Sequence, residues 1–317
     1  GARRAVAAFL ARGAWRPEAE SVLFAGNGRQ AIAATLSALA PAGSRIAVEA
    51  LTYPVLMGIA GRLGPELVPI EMDDEGILPE ALAAIHDATA LKAIYLQPFL
   101  HNPLGVSMGP DRRARIAEFL RAHDIPAVED AIYSFLVDEE PLAALAPDQV
   151  VLIDSFSKRV APGLGLGMIL AGARFRKDIA RSLRSGAWTG SGLALAAALR
   201  LMADGTAARL QARKRGDAVD RQAIARSSLS GIEVQGDSRA YHLWMELPHQ
   251  WRAEAYVAAA AKHGISTIAA RDFAASAGHA PNAIRLALAS PPRNELAAAL
   301  ATLRDLALDS PGPYDVG

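Results

Sequence analysis

The chain has 317 residues, 51% of them apolar, with 33 basic against 33 acidic side chains and no cysteine. Zero net charge excludes a nucleic-acid surface built on excess charge, and the missing cysteines exclude a disulfide framework or thiolate-metal centre. The length suits two domains, or one large α/β domain with an appendage; no apolar run reaches the ~18 residues of a membrane span and no signal peptide is visible, so a cytoplasmic location is expected.

In chain order, the sequence opens on Gly1 without a methionine and enters an amphipathic helical pattern, Ala5-Val6-Ala7-Ala8-Phe9-Leu10, which reads as the remnant of a longer N-terminal region. Ser21 to Ala25 reads as a strand, Gly26-Asn27-Gly28-Arg29 as a turn, and Ala31 to Ala40 as a helix. Glycines let the backbone approach a ligand, and the first N–H groups and dipole of a helix favour an anion, so this turn is a phosphate candidate. It also spells Gly-x-Gly-x-x-Ala, and the strand Arg45 to Glu49 ends in an acid about 20 residues on, as in a dinucleotide site; an unliganded turn is the third possibility.

Leu51-Thr52-Tyr53-Pro54 places an aromatic on the following loop, able to stack on a planar ligand or simply to pack. Leu91 to Pro98 is a further strand, and Asn102-Pro103-Leu104-Gly105 after it is a turn by composition. Helix Asp111 to His123 leads to strand Pro126 to Asp130, whose last carboxylate is a site candidate or a helix cap. The apolar run from Val150 ends in Ser155-Phe156-Ser157-Lys158, and Met168 to Ala171 gives strand, loop, strand. A lysine at the mouth of a buried strand is partly desolvated and here adjoins Arg159. Both effects lower an amine's pKa and leave more of it free to attack a carbonyl, a solvated loop lysine being the alternative.

Gly190 to about Ser228 reads as long alanine-rich helices, with Arg213, Lys214 and Arg215 as a solvated charge run. From Gly231 onward come strands at Ile232 to Val234, Tyr241 to Leu247, Ile265 to Ala269 and Ala283 to Ala289, with helices Ala253 to His263 and Asn294 to Leu308. His242 and His263 read as structural, while Arg239, Tyr241 and Arg271 are candidates for touching a substrate side chain. The pattern as a whole is α/β: a mainly parallel sheet sandwiched by helices, with a smaller C-terminal α+β domain. The boundaries are 1–20 for the N-terminal helix remnant, 21–205 for the large domain, 206–308 for the small domain and 309–317 for a tail. The polar residues singled out in the large domain follow strands, at the edge where open α/β sheets hold ligands, and that shared placement raises the case for Lys158.

Four strings stand in one order: Asn102-Pro103-Leu104-Gly105; Glu129-Asp130-Ala131-Ile132-Tyr133; Ser155-Phe156-Ser157-Lys158 with Ala161-Pro162-Gly163-Leu164; and Pro281-Asn282-Ala283-Ile284-Arg285-Leu286. In them the chain resembles the fold-type I pyridoxal-phosphate-dependent class I/II aminotransferases, in their MocR-like branch, over nearly its whole length. The resemblance implies pyridoxal 5'-phosphate as cofactor, an α-amino acid and a 2-oxo acid as substrates, and a homodimer; the charge and hydropathy above point to no membrane or nucleic-acid partner for this segment. It implies that Lys158 holds the cofactor aldehyde as an internal Schiff base and moves the Cα proton, and that Asp130 pairs with the pyridinium nitrogen. Tyr133 and Asn102 would hydrogen-bond the ring's phenolate oxygen, Tyr53 would stack on the ring, and Asn27, Gly28, Arg29, Ser155 and Ser157 would line the phosphate. Arg285 would take the substrate α-carboxylate as a bidentate fork, with Asn102 as the other substrate-binding residue.

Gly165 departs from that pattern, for relatives carry a phosphate-binding arginine there; Arg29 and Arg159 are the replacements the sequence offers. The family's upstream segment is also not in this sequence. Other chemistries fit less of the chain. Ser155-x-x-Lys158 matches a serine acyl-enzyme motif whose Ser-Asp-Asn and Lys-Thr-Gly partners are absent. An NAD(P)-binding Rossmann enzyme would leave Asn102, Asp130, Tyr133, Lys158 and Arg285 unused. A non-transaminating enzyme with the same cofactor, or the effector-sensing domain of a MocR-type transcription regulator, would use the same residues.

Overall fold

A computed structural model describes residues 1–276, 278 and 280–309, so the expected tail falls outside the described residues beyond Asp309. The amphipathic start folds as α1 (Ala2–Leu10), with Val6, Ala7 and Leu10 buried. After β1 (Val22–Ala25), Asn27 ends the extended backbone and caps α2 (Gly28–Leu39), its Oδ1 accepting from Gln30 N at 3.0 Å. Then come β2 (Arg45–Glu49), α3 (Pro54–Leu63), β3 (Glu66–Ile70), the hairpin β4 (Met72–Asp73) and β5 (Gly76–Ile77), and α4 (Pro79–Ala88). Next are β6 (Ala93–Leu96), α5 (Pro110–His123), which a left-handed Asp124 (φ 51°) stops, and β7 (Ala127–Asp130).

The segment around Lys158 runs α6 (Leu142–Leu145), β8 (Val150–Ser155), α7 (Phe156–Arg159) and β9 (Gly167–Leu170). The expected loop at Lys158 is therefore a one-turn helix, because Ser155 Oγ accepts from Ser157 N at 3.1 Å and starts it. Three helices follow, α8 (Ala173–Ser185), α9 (Gly192–Ala203) and α10 (Thr206–Ser228). The chain closes with β10 (Val234–Gln235), β11 (His242–Glu246), α11 (Ala253–Lys262), β12 (Ile268–Ala269), β13 (Ala283–Ala287) and α12 (Arg293–Leu308). The strand expected from Ile265 is only Ile268–Ala269, since β13 offers it two paired positions, Arg285 and Ile284.

Two compact units result: residues 1–50, 55–99 and 107–214 form the first, and 51–54, 100–106 and everything from 215 on the second. In the first, seven strands lie in the order β1-β9-β8-β7-β6-β2-β3. β8, β7, β6, β2 and β3 run parallel, and β9 is antiparallel to both β8 and β1. This is the mainly parallel sheet expected, and β6, β7 and β8 are buried at every position, which explains the apolar runs of β6 and of β8 up to Ile153; β7 buries two carboxylates, Glu129 and Asp130, as well. The polarity of the strands puts the carboxyl ends of β1, β8, β7 and β6 on one edge. In the second unit β10-β11-β13-β12 form an antiparallel sheet whose core includes Trp251, Tyr256, Leu286 and Leu300. Among the described residues no helix is long and apolar enough to cross a membrane.

Candidate active site

The amino end of α2 lies on the ends of β7 and β8. A Cβ added to Gly28 would stand 3.0 Å from Ile132 Cδ1 and 3.4 Å from Ser155 Cβ, so the turn packs closely and a larger residue would press on the Ile132 side chain. With Asn27 capping Gln30 N, helix geometry leaves the N–H groups of Gly28 and Arg29 for an outside acceptor. Ser155 Oγ also donates to Ser157 Oγ at 3.0 Å, and Arg29 is exposed at the second position of α2. Two amides, the Ser157 hydroxyl and a positive helix end make a donor set suited to a phosphate.

Asp130 closes β7 and is buried. Its Oδ2 accepts from the Tyr95 hydroxyl at 2.5 Å and its Oδ1 from Ile132 N at 3.0 Å, which is a turn rather than a helix cap. Burial pushes its pKa up to about 6 against the pull of those two hydrogen bonds, with Asp154 and Glu49 adding to the rise. A carboxyl poised in this way accepts a cation readily, and a pyridinium nitrogen is such a cation. Tyr95, fully buried on β6, had no role in the sequence reading; the signal was a tyrosine in an apolar strand, whose hydroxyl needs a partner. Tyr133, half-buried, stands three residues past Asp130 at the start of a short 3₁₀ turn, Ser134–Leu136.

Lys158 is exposed, so it is not the partly desolvated amine expected, and the turn of α7 carries it outward. Arg159 points the other way. It is buried against Asp154, with Nε 3.1 Å from Oδ2 and a second, shorter contact from Nη2, and its Nη1 donates to Gln211 Oε1 at 2.7 Å. That pairing removes Arg159 as a phosphate ligand and offsets the positive charge it was expected to place beside Lys158. Gly165 lies against the phosphate turn itself: a Cβ there would be 3.1 Å from Gly26 O. The charge run at 213–215 is also not simply solvated, because Lys214 is half-buried and its Nζ donates to Lys158 O at 2.6 Å and Val160 O at 2.9 Å.

In the second unit Arg285 sits mid-strand on β13, half-buried, opposite Trp244 of β11 and Ile268 of β12. Its guanidinium carbon lies 5.4 Å from the centre of the Phe273 ring, and Nη1 donates to Asn102 Oδ1 at 3.2 Å. Asn102 is buried, and Tyr53 is half-buried next to Thr52, whose N–H donates to Phe273 O at 2.8 Å. Asn102, Arg285 and the stretch leading to Tyr53 thus gather around Phe273. The other candidates here are engaged: Arg239 with Asp237 at 2.7 Å, Tyr241 with Asp217 at 3.1 Å and Arg271 with Glu254 at 3.2 Å. His242 Nε2 meets His101 O at 2.7 Å, in keeping with a structural part, and His263 is exposed at the end of α11.

A mainly parallel sheet sandwiched by helices, with a lysine, a buried aspartate and a helix amino terminus on one edge, defines an α/β domain of the fold-type I class. The sequence profile of the family Aminotransferase class I and II matches residues 2–303, and the chain belongs to that family, which implies pyridoxal phosphate as cofactor. It is 30% identical over 302 residues to an uncharacterized HTH-type transcriptional regulator, YdeF, of Bacillus subtilis (strain 168), covering 94% of this chain and 65% of the relative. The chain therefore spans just under two thirds of that curated relative. Among solved structures it resembles an archaeal alanine:glyoxylate aminotransferase, with TM-score 0.88, 21% identity, and 96% of this chain and 80% of that one covered. LysN, the alpha-aminoadipate aminotransferase of Thermus thermophilus, solved with N-(5'-phosphopyridoxyl)-L-leucine, gives TM-score 0.85 at 22% identity over 96% and 80%. These likenesses agree in fold with the sheet, helices and smaller second unit described above.

Proposed function

We propose that this domain transfers the amino group of an α-amino acid to a 2-oxo acid with pyridoxal 5'-phosphate. The observation that carries this reading is the buried Asp130 carboxyl, raised to about 6, on the sheet edge that also bears Lys158 and the amino end of α2. When bound, the cofactor supplies an electron sink for the charge left at Cα as its proton departs. Lys158, an exposed amine on a one-turn helix, would hold the cofactor and would carry the Cα proton. Asp130, held in place by Tyr95 and Ile132 N, keeps the ring nitrogen protonated. Asn27, Gly28, Ser155 and Ser157 receive the phosphate, and Tyr133, Asn102 and Tyr53 are assigned to the ring. Arg29 supplies the cation that Gly165 does not, since Arg159 is committed to Asp154. The oligomer proposed is a homodimer.

The test is the absorbance of the cofactor-loaded protein against an amino-acid panel, with 2-oxo acid release followed in parallel. A visible band that shifts with α-amino acids, and keto acid formed in step, is the expected result. The likeness to an HTH-type regulator over 94% of this chain favours a second reading, an effector-sensing domain. Band shifts without keto acid would select it, and a protein that takes up no cofactor would sink both.

Two side chains can be checked separately. Arg285→Lys keeps the charge but loses the fork, so amino acids should bind about 10–100-fold more weakly while the corresponding amines change little. An unchanged preference makes Arg285 structural. Arg29→Gln should raise the Kd for the cofactor about tenfold, the worth of one charge-assisted hydrogen bond, as read by equilibrium dialysis. A Kd within about twofold of the parent's would show that Arg29 points to solvent. Gly165→Arg would not be a clean rescue, because its Cβ must displace the Gly26 carbonyl.

A further inference from the structure

A cation outside the assigned residues reaches the turn that carries Lys158. Lys214, on the first half of α10, is half-buried and donates to the carbonyls of Lys158 (2.6 Å) and Val160 (2.9 Å), where α7 ends. We propose that Lys214 is a positioning residue for Lys158: it closes the one-turn helix that carries the reactive amine and sets an ammonium charge beside that amine. The inference rests on the proposed function above.

A four-residue helix cannot hold itself together, because one turn gains too few hydrogen bonds to offset the ordering of its backbone. Ser155 supports its start and Lys214 its end, where the carbonyl groups and the helix dipole both call for a cation. Two carbonyl acceptors also favour the ammonium form of Lys214, which donates, over the neutral amine. Among the charged groups described around α7, Lys214 is the one that bonds the backbone of the Lys158 turn itself. From α7 itself comes Arg159, matched by Asp154 of β8; Arg12 acts electrostatically on both of these, so its influence is divided between a cation and an anion. From α10, Gln211 is neutral and Lys214 is charged. Lys214 is pushed below its ordinary pKa first by burial and then by Lys158, so the two amines sense each other's charge.

The experiment is a pH titration of the Lys158 amine in the cofactor-free protein, by ¹³C reductive methylation and NMR, joined to a titration of the visible band of the loaded protein. Lys214→Met should raise the midpoint of Lys158 by about one unit and slow cofactor capture at pH 7 about tenfold, while Lys214→Arg stays near the parent. Arg213→Met, exposed and one residue away, serves as the surface control. If Lys214→Met does not fold, Lys214→Gln keeps a donor without the charge and is read by the same titration. A Lys158 midpoint within about 0.2 unit of the parent's in the uncharged variant, or no recovery with arginine, overturns the proposal. The methylation readout needs no cofactor, so a parent that fails to bind pyridoxal phosphate refutes the proposed function and leaves the Lys214 result to be read independently.

Discussion

Lys158→Ala should abolish covalent retention of pyridoxal 5'-phosphate and lower amino-group transfer by at least ~10²–10⁴-fold, the usual worth of a positioned proton carrier, with the loss of covalent attachment added to it. In the parent, borohydride reduction followed by peptide mapping should place the adduct on the peptide containing Ser155 to Arg159. The geometry sharpens the control. Lys214 Nζ is hydrogen-bonded to the backbone of Lys158 and is the neighbouring amine that could be labelled in its place. An adduct on Lys214 in the parent, or a Lys158→Ala protein that still holds reducible cofactor, would move the chemistry to another residue.

Much of the first unit was legible in the sequence, because parallel strands buried on both faces write themselves as apolar runs, as in Ala93–Leu96 and the start of Val150–Ser155; Ala127–Asp130, half of it acidic, also falls on its expected span. Short or half-buried elements were not. β3 and the β4–β5 hairpin carry no comparable signal, since an edge strand and a two-residue pair need little apolar surface; α8, by contrast, does carry a helical stripe, with Phe175, Ile179 and Leu183 buried on one face between its charges. The expected cation next to Lys158 was misassigned for a local reason. Sequence adjacency put Arg159 beside the amine, but one turn of helix rotates it inward onto Asp154, five positions back on the strand. Lys214 lies 56 positions away on a helix with no apolar stripe, so no periodicity could mark one of its lysines as half-buried. Tyr95 and Asp130 were both legible as strand residues, but their hydrogen bond depends on the packing of β6 against β7, which no single-strand pattern reports.

Asp130→Asn should lose most Cα-proton exchange and yet make the cofactor-free protein more stable above about pH 6. In the folded protein the Asp130 pKa is about 6, against an ordinary carboxyl near 3.9. Between those values the folded state holds more protons than the unfolded one, so stability falls as pH rises through the window and stays lower above it. A shift of about two units corresponds to about 3 kcal/mol at neutral pH. Asparagine cannot ionise and escapes that penalty, but it offers one acceptor oxygen where the carboxyl gave two, so Tyr95 or Ile132 N goes short at a cost of about 1 kcal/mol. The net should be about 1–2 kcal/mol of added stability at pH 7.5 and a small loss at pH 4, read from urea midpoints of the cofactor-free variant and parent. With cofactor bound the sign reverses, because a ring-nitrogen cation stabilises the ionised Asp130 and a neutral amide gives it no ion pair. The variant should therefore exchange the Cα proton about 10²–10⁴-fold more slowly. Exchange at the parental rate would remove Asp130 from the chemistry. A stability difference that stays constant between pH 4 and 7.5 would show instead that burial does not hold its proton. The two measurements answer separately because the first requires the cofactor and the second excludes it. Together they separate a carboxyl kept at a stability cost for its partnership with a ring nitrogen from one that merely fills the end of β7.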